Sequence, residues 1–217
     1  MRDREQMVRT IEAEVKETSR WIGKKSLDPR VMEAMRNVPR HEFVPPDMAG
    51  IAYRNEPLPI GFGQTISQPY IVALMTDLLA PEADAVVLEI GTGCGYQTAI
   101  LSELVKQVYT IEVINDLGEQ AKQRLLRFGY SNIEFRIGDG YHGWPESAPF
   151  NAIMVTAAAA SIPDSLVEQL KPGGSMAIPV GTGSSGQTLV QVSKDRAGVV
   201  RTKDILPVAF VPLIRGQ

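Results

Sequence analysis

The residues of this chain whose types and spacing could do chemistry are a glycine cluster and the acids around it. Glu89 stands just before Gly91-Thr92-Gly93-Cys94-Gly95, Glu112 ends the next apolar stretch, and Asp139 sits between Gly138 and Gly140. Glycines are needed where the backbone must take positive φ and where a Cβ would hold a ligand away from the chain. The spacing is G-x-G-x-G, whereas the dinucleotide fingerprint is G-x-G-x-x-G, so the third glycine comes one residue early for a pyrophosphate grip. An acid at the tip of the following strand suits a ribose diol. The chemistry implied is the holding of a nucleoside without a clear diphosphate site. Taken alone, the cluster also admits a nicotinamide or flavin enzyme, or a structural turn. Asp139 between glycines is what turn chemistry by itself selects. Taken with the other strand tips, Glu89, Glu112 and Thr156, it reads as a contact to the adenine end of a cofactor.

Other chemistries find little support. Cys94 is the single cysteine, which excludes an internal disulfide and leaves too few thiols for structural zinc. It reads as a small side chain tolerated beside a ligand. The two histidines, His41 and His142, are far apart in the chain and read as loop residues rather than catalytic bases, and no metal is expected. Ser67 lacks the G-x-S-x-G elbow of an acyl-transfer nucleophile.

These residues need strands and helices to bring them together. Val86 to Ile90 reads as a buried strand running into the glycine turn, and Tyr96 to Val105 as the helix after it. The alternation continues with a strand over 108–113, a helix over 115–128, a strand over 133–137, a strand over 151–157, a helix over 163–170 and a strand over 175–180. Strand character at 188–193 and 205–214, with no helix between, predicts an antiparallel pair at the sheet end. The result is an α/β, doubly wound, mostly parallel seven-stranded sheet, Rossmann-like, with ligands at the carboxyl ends of its strands. Before it, Arg4 to Trp21 predicts an amphipathic helix with Met7, Ile11, Val15 and Trp21 on its apolar face, and Asp28-Pro29 opens a second helix to about Asn37. Pro39 to Tyr70, dense in proline and glycine, reads as an ordered irregular loop over the active site. From Pro69 a further helix places Ile71, Leu74, Met75, Leu78 and Leu79 on one side. We expect one domain over 1–217, with 1–56 as N-terminal helical cap and approach loop and 57–217 as the cofactor-binding core.

At 217 residues, with 44% hydrophobic and 22% charged residues, the chain is that of a globular protein with one substantial core. A net charge of −3 argues against a large nucleic-acid footprint. Charges throughout the first fifteen residues and no long apolar run predict no signal peptide, no membrane span and a cytoplasmic location.

The most specific feature is a series of motifs in register: VPRHEFVP (38–45), PLPIG (57–61), GFGQTISQPY (61–70), LEIGTGCGYQTAIL (88–101), IGDGYHGWPESAPFNAIMVTAAA (137–159), LKPGGSMAIPVG (170–181) and FVPLI (210–214). In this order they resemble the protein-L-isoaspartate (D-aspartate) O-methyltransferases, within the class I S-adenosylmethionine-dependent methyltransferases, over nearly the whole chain. The resemblance implies transfer of the methyl of S-adenosyl-L-methionine to the free carboxylate of L-isoaspartyl, and by extension D-aspartyl, residues in damaged proteins, with S-adenosyl-L-homocysteine as product. It maps the active-site serine onto Ser67, with Gln64, Thr65, Ile66 and Val211 at the substrate. Cofactor contacts map onto Glu89, Ile90, Gly91, Thr92, Gly93, Gly95, Glu112, Val113, Asp139 and Gly140. Partners implied are isoaspartyl peptides and proteins, without nucleic acid or membrane, with a monomer favoured. A small-molecule or nucleic-acid methyltransferase and a non-catalytic binding module are the alternatives; the acidic charge and the intact QTISQP loop weigh against them.

Overall fold

The structure, a computed structural model, describes residues 2–182 and 186–216. Strands β3 (Val86–Ile90), β4 (Gln107–Glu112), β5 (Ile133–Ile137), β6 (Phe150–Val155), β7 (Leu170–Thr182), β8 (Gly186–Lys194) and β9 (Val200–Val208) form one sheet in the order β5-β4-β3-β6-β7-β8-β9. The first five in that order are parallel, and β8 and β9 add antiparallel. The chain steps from β3 outward to β4 and β5, then returns to the other side of β3 with β6. That reversal opens a crevice at the carboxyl ends of β3, β4 and β6.

Both faces of the sheet are covered, so its central strands bury apolar residues on both sides rather than alternating, with Glu89 and Thr110 as buried polar exceptions. On one face Val87, Ala152, Met154 and Ala177 pack with the N-terminal helices and with α4 (Pro69–Leu79) and α5 (Tyr96–Ser102). On the other, Leu88, Ile90, Ile153, Val155, Met176 and Ile178 share a core with Phe150 and Leu166. β7 begins earlier than the expected 175, so that Pro172-Gly173-Gly174 lies within the strand as an irregularity between the Phe150–Leu170 and Ala152–Ser175 pairings. Helix α4, expected to be one-sided, is buried over all eleven residues, because α1 (Arg2–Glu17) and α3 (Pro29–Asn37) cover the side turned away from the sheet. Its Asp77 carboxylate is satisfied by Lys24 and by the Asp28 N–H at 2.6 Å. Helix α1 buries Met7, Val8, Ile11 and Val15, but Trp21 is half exposed, since the chain turns at Thr18 into a short α2 (Ser19–Ile22) that buries Ile22 instead. Asp28 caps α3 as expected, accepting from Arg30 N at 2.8 Å.

The segment 39–70 is more ordered than its composition suggests. It holds two 3₁₀ turns and a hairpin of β1 (Leu58–Gly61) and β2 (Gln64–Ile66), with Phe62 and Gly63 at its tip. Arg40, wholly buried, ties the segment down: Nε donates to Ala52 O at 2.7 Å and the guanidinium lies 5.0 Å from the Tyr96 ring centre. Phe43 packs edge-on against the same ring. The approach segment leading to the hairpin is thereby fastened to the start of α5.

Candidate active site

The glycine turn is built around one close approach. Gly91 has φ +92°, and a Cβ there would lie 2.4 Å from Thr156 Oγ1. The Thr156 hydroxyl donates toward Gly91 O at 2.7 Å and Ile90 O at 3.0 Å, and Thr156 N donates to Ile90 O, lacing β6 to the end of β3. On the β4 side, Gly91 N and Thr92 N both donate to Ile111 O. Gly140 closes the third side: a Cβ there would meet Ile90 Cγ2 at 2.3 Å.

Glu112 projects past the last paired residue of β4 on the β3 side, Ile111, and lines the crevice. Its Oε2 accepts from Gly93 N at 2.8 Å and its Oε1 from Val113 N and Ile114 N at 3.0 Å each. A carboxylate oxygen accepts two bonds, so Oε2 keeps a lone pair for a ligand hydroxyl. Ile90, Ile111, Ile114, Leu117 and Leu213 supply apolar walls. Such a set, a strand-tip carboxylate with a spare acceptor between apolar walls and an unobstructed glycine turn, fits an adenosyl group.

Of the residues expected at the cofactor, the crevice is lined by Ile90, Gly91, Gly93, Glu112, Val113 and Gly140. Asp139 faces an adjoining cavity with His142 and Ile214, and its side chain caps the Tyr141 N–H at 2.8 Å. Glu89, Thr92 and Gly95 do not line the crevice. Glu89 is fully buried; its Oε2 accepts from Thr98 and Thr110, each at 2.6 Å, while its Oε1 meets no donor among the described residues. Thr110 spends its one proton on Glu89, so Thr92, 2.7 Å away, must donate to Thr110. The acid thus pins the turn from below instead of touching the ligand. Gly95 is needed for packing, since a Cβ there would lie 2.9 Å from Leu125 Cδ1. Cys94, expected beside the ligand, is buried away from the crevice, and burial pushes its thiol pKa up.

Burial also pushes the Glu89 carboxyl up to about 8, with the bonds from Thr110 and Thr98 pulling the other way. The unfolded group releases its proton near 4.5, so between that pH and about 8 the folded state binds more protons. Stability should therefore be fullest below the lower value and decline as pH rises through the window. Glu89→Gln keeps an acceptor for both threonines and removes the titration. Its melting temperature relative to the parent should rise from pH 5 to pH 8; parallel curves would show that no neutral carboxyl is buried there.

A second cavity adjoins the first and shares Thr65, Thr156 and Val211 with it. Ser67, Gln68 and Ile71 line one side, and Pro207 to Phe210 the other. Gln64 lines the cofactor crevice, whereas Ile66 is buried in the core and lines neither cavity. The apolar run 205–214 does not continue as a strand. β9 stops at Val208 because the Gln187 side chain takes both Phe210 N at 2.6 Å and Phe210 O at 3.0 Å. The chain then runs beside Ala158, which donates to Val211 O and accepts from Leu213 N, both at 2.8 Å. This return stretch walls both cavities. Among the described residues, neither cavity takes lining from before Pro57. His41 bonds the Tyr53 hydroxyl on the approach segment, and His142 is exposed.

A seven-stranded sheet with this reversal, a nucleoside crevice at its switch point and an antiparallel pair at one edge define a Rossmann-like methyltransferase. Comparison with known proteins narrows this: residues 17–217 match the family described as protein-L-isoaspartate(D-aspartate) O-methyltransferase. The chain belongs to that family. Proteins named protein-L-isoaspartate O-methyltransferase 2 are 61% identical in Syntrophobacter fumaroxidans, over 99% of this chain and 87% of the relative, and 59% identical in a Polaromonas species, over 95% and 98%. A solved protein-L-isoaspartate O-methyltransferase superposes with a TM-score of 0.82 at 26% identity, covering 96% of this chain and 65% of that one. A Plasmodium falciparum chain solved in complex with S-adenosyl-L-homocysteine shares the fold, with a TM-score of 0.77 at 23% identity over 95% of this chain and 98% of that one.

Proposed function

We propose that this chain methylates the free carboxylate of L-isoaspartyl residues, and by the family's description D-aspartyl ones, in damaged proteins and peptides, using S-adenosyl-L-methionine. The observation that carries this is the lining of the second cavity: Pro57, Thr65, Ser67, Gln68, Ile71, Thr156 and residues 207–211 include no ionisable side chain. A site for an alcohol or amine acceptor needs a base to remove a proton. A carboxylate, with a reference pKa of about 4, is already ionised at pH 7 and needs none. A lysine or arginine in the lining would bind it more tightly and blunt its nucleophilicity, whereas neutral hydroxyls orient it.

When bound, S-adenosyl-L-methionine supplies a methyl group activated on a sulfonium and leaves as S-adenosyl-L-homocysteine. Glu112 would hold the ribose hydroxyls, the Gly91 to Gly93 backbone the methionine part, and Gly140 with Asp139 beside it the adenine end. Thr65 and Thr156, common to both cavities, stand where donor and acceptor meet. Ser67 donates to the substrate carboxylate and aims it, and the return stretch around Val211 offers main-chain partners to an extended peptide while shielding the junction from water. The resulting ester lets the neighbouring backbone nitrogen attack and expel methanol, giving the succinimide that begins repair.

The chain is read as a cytoplasmic monomer acting without nucleic acid; among the described residues no helix is long and apolar enough to cross a membrane. The test is methyl transfer to paired peptides differing only in Asp against isoAsp, with calorimetry showing S-adenosyl-L-methionine but not NAD binding. Ser67→Ala should lower kcat on the isoAsp peptide roughly 10- to 100-fold, the value of one hydrogen bond to a charged group, and leave cofactor affinity unchanged. An undiminished rate would remove Ser67 from the reaction.

A further inference from the structure

Gln68 sits at the N-terminus of α4, yet its side chain does not cap that helix. It reaches across to α1, where Nε2 lies 3.3 Å from both carboxylate oxygens of Glu14. The same carboxylate accepts from Asn55 Nδ2; Asn55 Oδ1 in turn accepts from Tyr70 N at 2.9 Å, and the Tyr70 and Thr18 hydroxyls are 2.6 Å apart. The Ser67-Gln68 corner is therefore clamped from α1 and from the approach segment together. Glu14 precedes the residues matched to the family, so the clamp lies partly outside them.

The clamp fixes which way the amide faces. An ionised carboxylate only accepts, so Gln68 must offer it the NH₂ group. Oε1 is then the end of the amide turned away from Glu14; no described residue donates to it, and Gln68 is part of the wall of the Ser67 cavity. A side-chain carbonyl in the wall of a groove without charges is a receptor for an N–H. Donation to Glu14 polarises the amide and strengthens that acceptor. A carboxylate in the same place would repel the substrate's own carboxylate, so the negative charge stands one side chain back.

Resting on the function proposed above, we infer that Gln68 is a substrate-binding residue whose side-chain carbonyl accepts a main-chain N–H flanking the isoaspartyl residue, with Glu14 as the positioning residue that keeps it turned inward. Recognition through a backbone N–H suits an enzyme that must meet damaged sites in many sequence contexts, because nearly every peptide carries one.

The test uses the full chain, an isoAsp peptide, and two versions of it N-methylated at the isoaspartyl nitrogen or at the next residue's nitrogen. Gln68→Met, which keeps length and loses the acceptor, should raise the peptide KM roughly 3- to 10-fold, the worth of one hydrogen bond, with kcat and cofactor affinity within twofold of the parent. One of the two N-methylated peptides should cost the parent enzyme a similar factor and cost Gln68→Met nothing more. Glu14→Ala should raise KM by a smaller factor, and the double variant should be no worse than Gln68→Met alone. An unchanged KM in Gln68→Met, or losses that multiply for both methylated peptides, overturns the inference. No turnover of the unmodified isoAsp peptide by the parent enzyme overturns the function on which it rests, and the inference with it.

Discussion

Glu112→Ala is expected to weaken S-adenosyl-L-methionine binding by about two orders of magnitude. Hydrogen bonds from ligand hydroxyls to a charged acceptor are worth roughly 1.5–3 kcal/mol each, so losing a ribose contact alone accounts for a factor of roughly 10 to 100. The remainder comes from the protein, because the same carboxylate holds Gly93 N, Val113 N and Ile114 N. Without it the glycine turn keeps its Gly91 and Thr92 bonds to Ile111 O but loses the one at Gly93, and that part of the turn must be ordered by the ligand. Glu112→Gln is not a gentle version of this change. Both carboxylate oxygens accept main-chain N–H groups, so whichever way the amide is placed, its NH₂ opposes a donor. The glutamine variant should also lose at least tenfold. Calorimetric titration against both variants checks this, with circular dichroism to confirm the fold. A dissociation constant within threefold of the parent's in Glu112→Ala would mean that the ligand's diol lies elsewhere.

Glu112 and Glu89 look alike in the sequence, one acid near the end of each of two adjacent strands, and the structure gives them opposite tasks. The difference lies in register. Glu89 is paired with Thr110 inside the sheet and, by the two-residue alternation of a strand, shares the face of Val87, under α5. Glu112, still paired with Ile137 of β5, lies beyond the Ile90–Ile111 pair and so overhangs β3 into the crevice. The strand and turn were legible because a run of β-formers followed by glycines has few other readings. How far one strand overhangs its neighbour depends on contacts between distant segments, which a single sequence does not display. The 205–214 run was misjudged for a related reason. Its composition suits a strand, but two bonds from Gln187 to Phe210 and the partnership with Ala158 draw it off the sheet edge and across both cavities. Thr156 is legible only as a polar strand tip and Gln68 only as part of the QTISQP loop, because neither side chain carries a chemistry of its own; each matters through what it faces. Ser67, by contrast, was placed by family resemblance, and the fold sets it within a cavity that shares Thr65 with the crevice.

The largest single effect is expected at Gly91. Gly91→Ala meets two obstacles: an L-residue at φ +92° is strained, and its Cβ would stand 2.4 Å from Thr156 Oγ1. Together these should destabilise the fold by about 2–4 kcal/mol, read as a melting temperature roughly 5–15 °C lower. Affinity for S-adenosyl-L-methionine should fall beyond the reach of calorimetry, because relief of the clash moves the turn on which the ligand rests. The two obstacles can be separated. Thr156→Ala removes the hydroxyl that the new methyl would strike, at the cost of the hydroxyl bonds to Ile90 O and Gly91 O. In that background Gly91→Ala keeps its strained backbone and loses its clash, so its further cost should shrink by more than about 0.5 kcal/mol, the coupling expected of residues in contact. Thr156→Ser keeps the hydroxyl and should rescue nothing. Strict additivity between Gly91→Ala and Thr156→Ala would place the strain wholly in the Gly91 backbone, and the lacing of β6 to the glycine turn would then play no part in holding the crevice open.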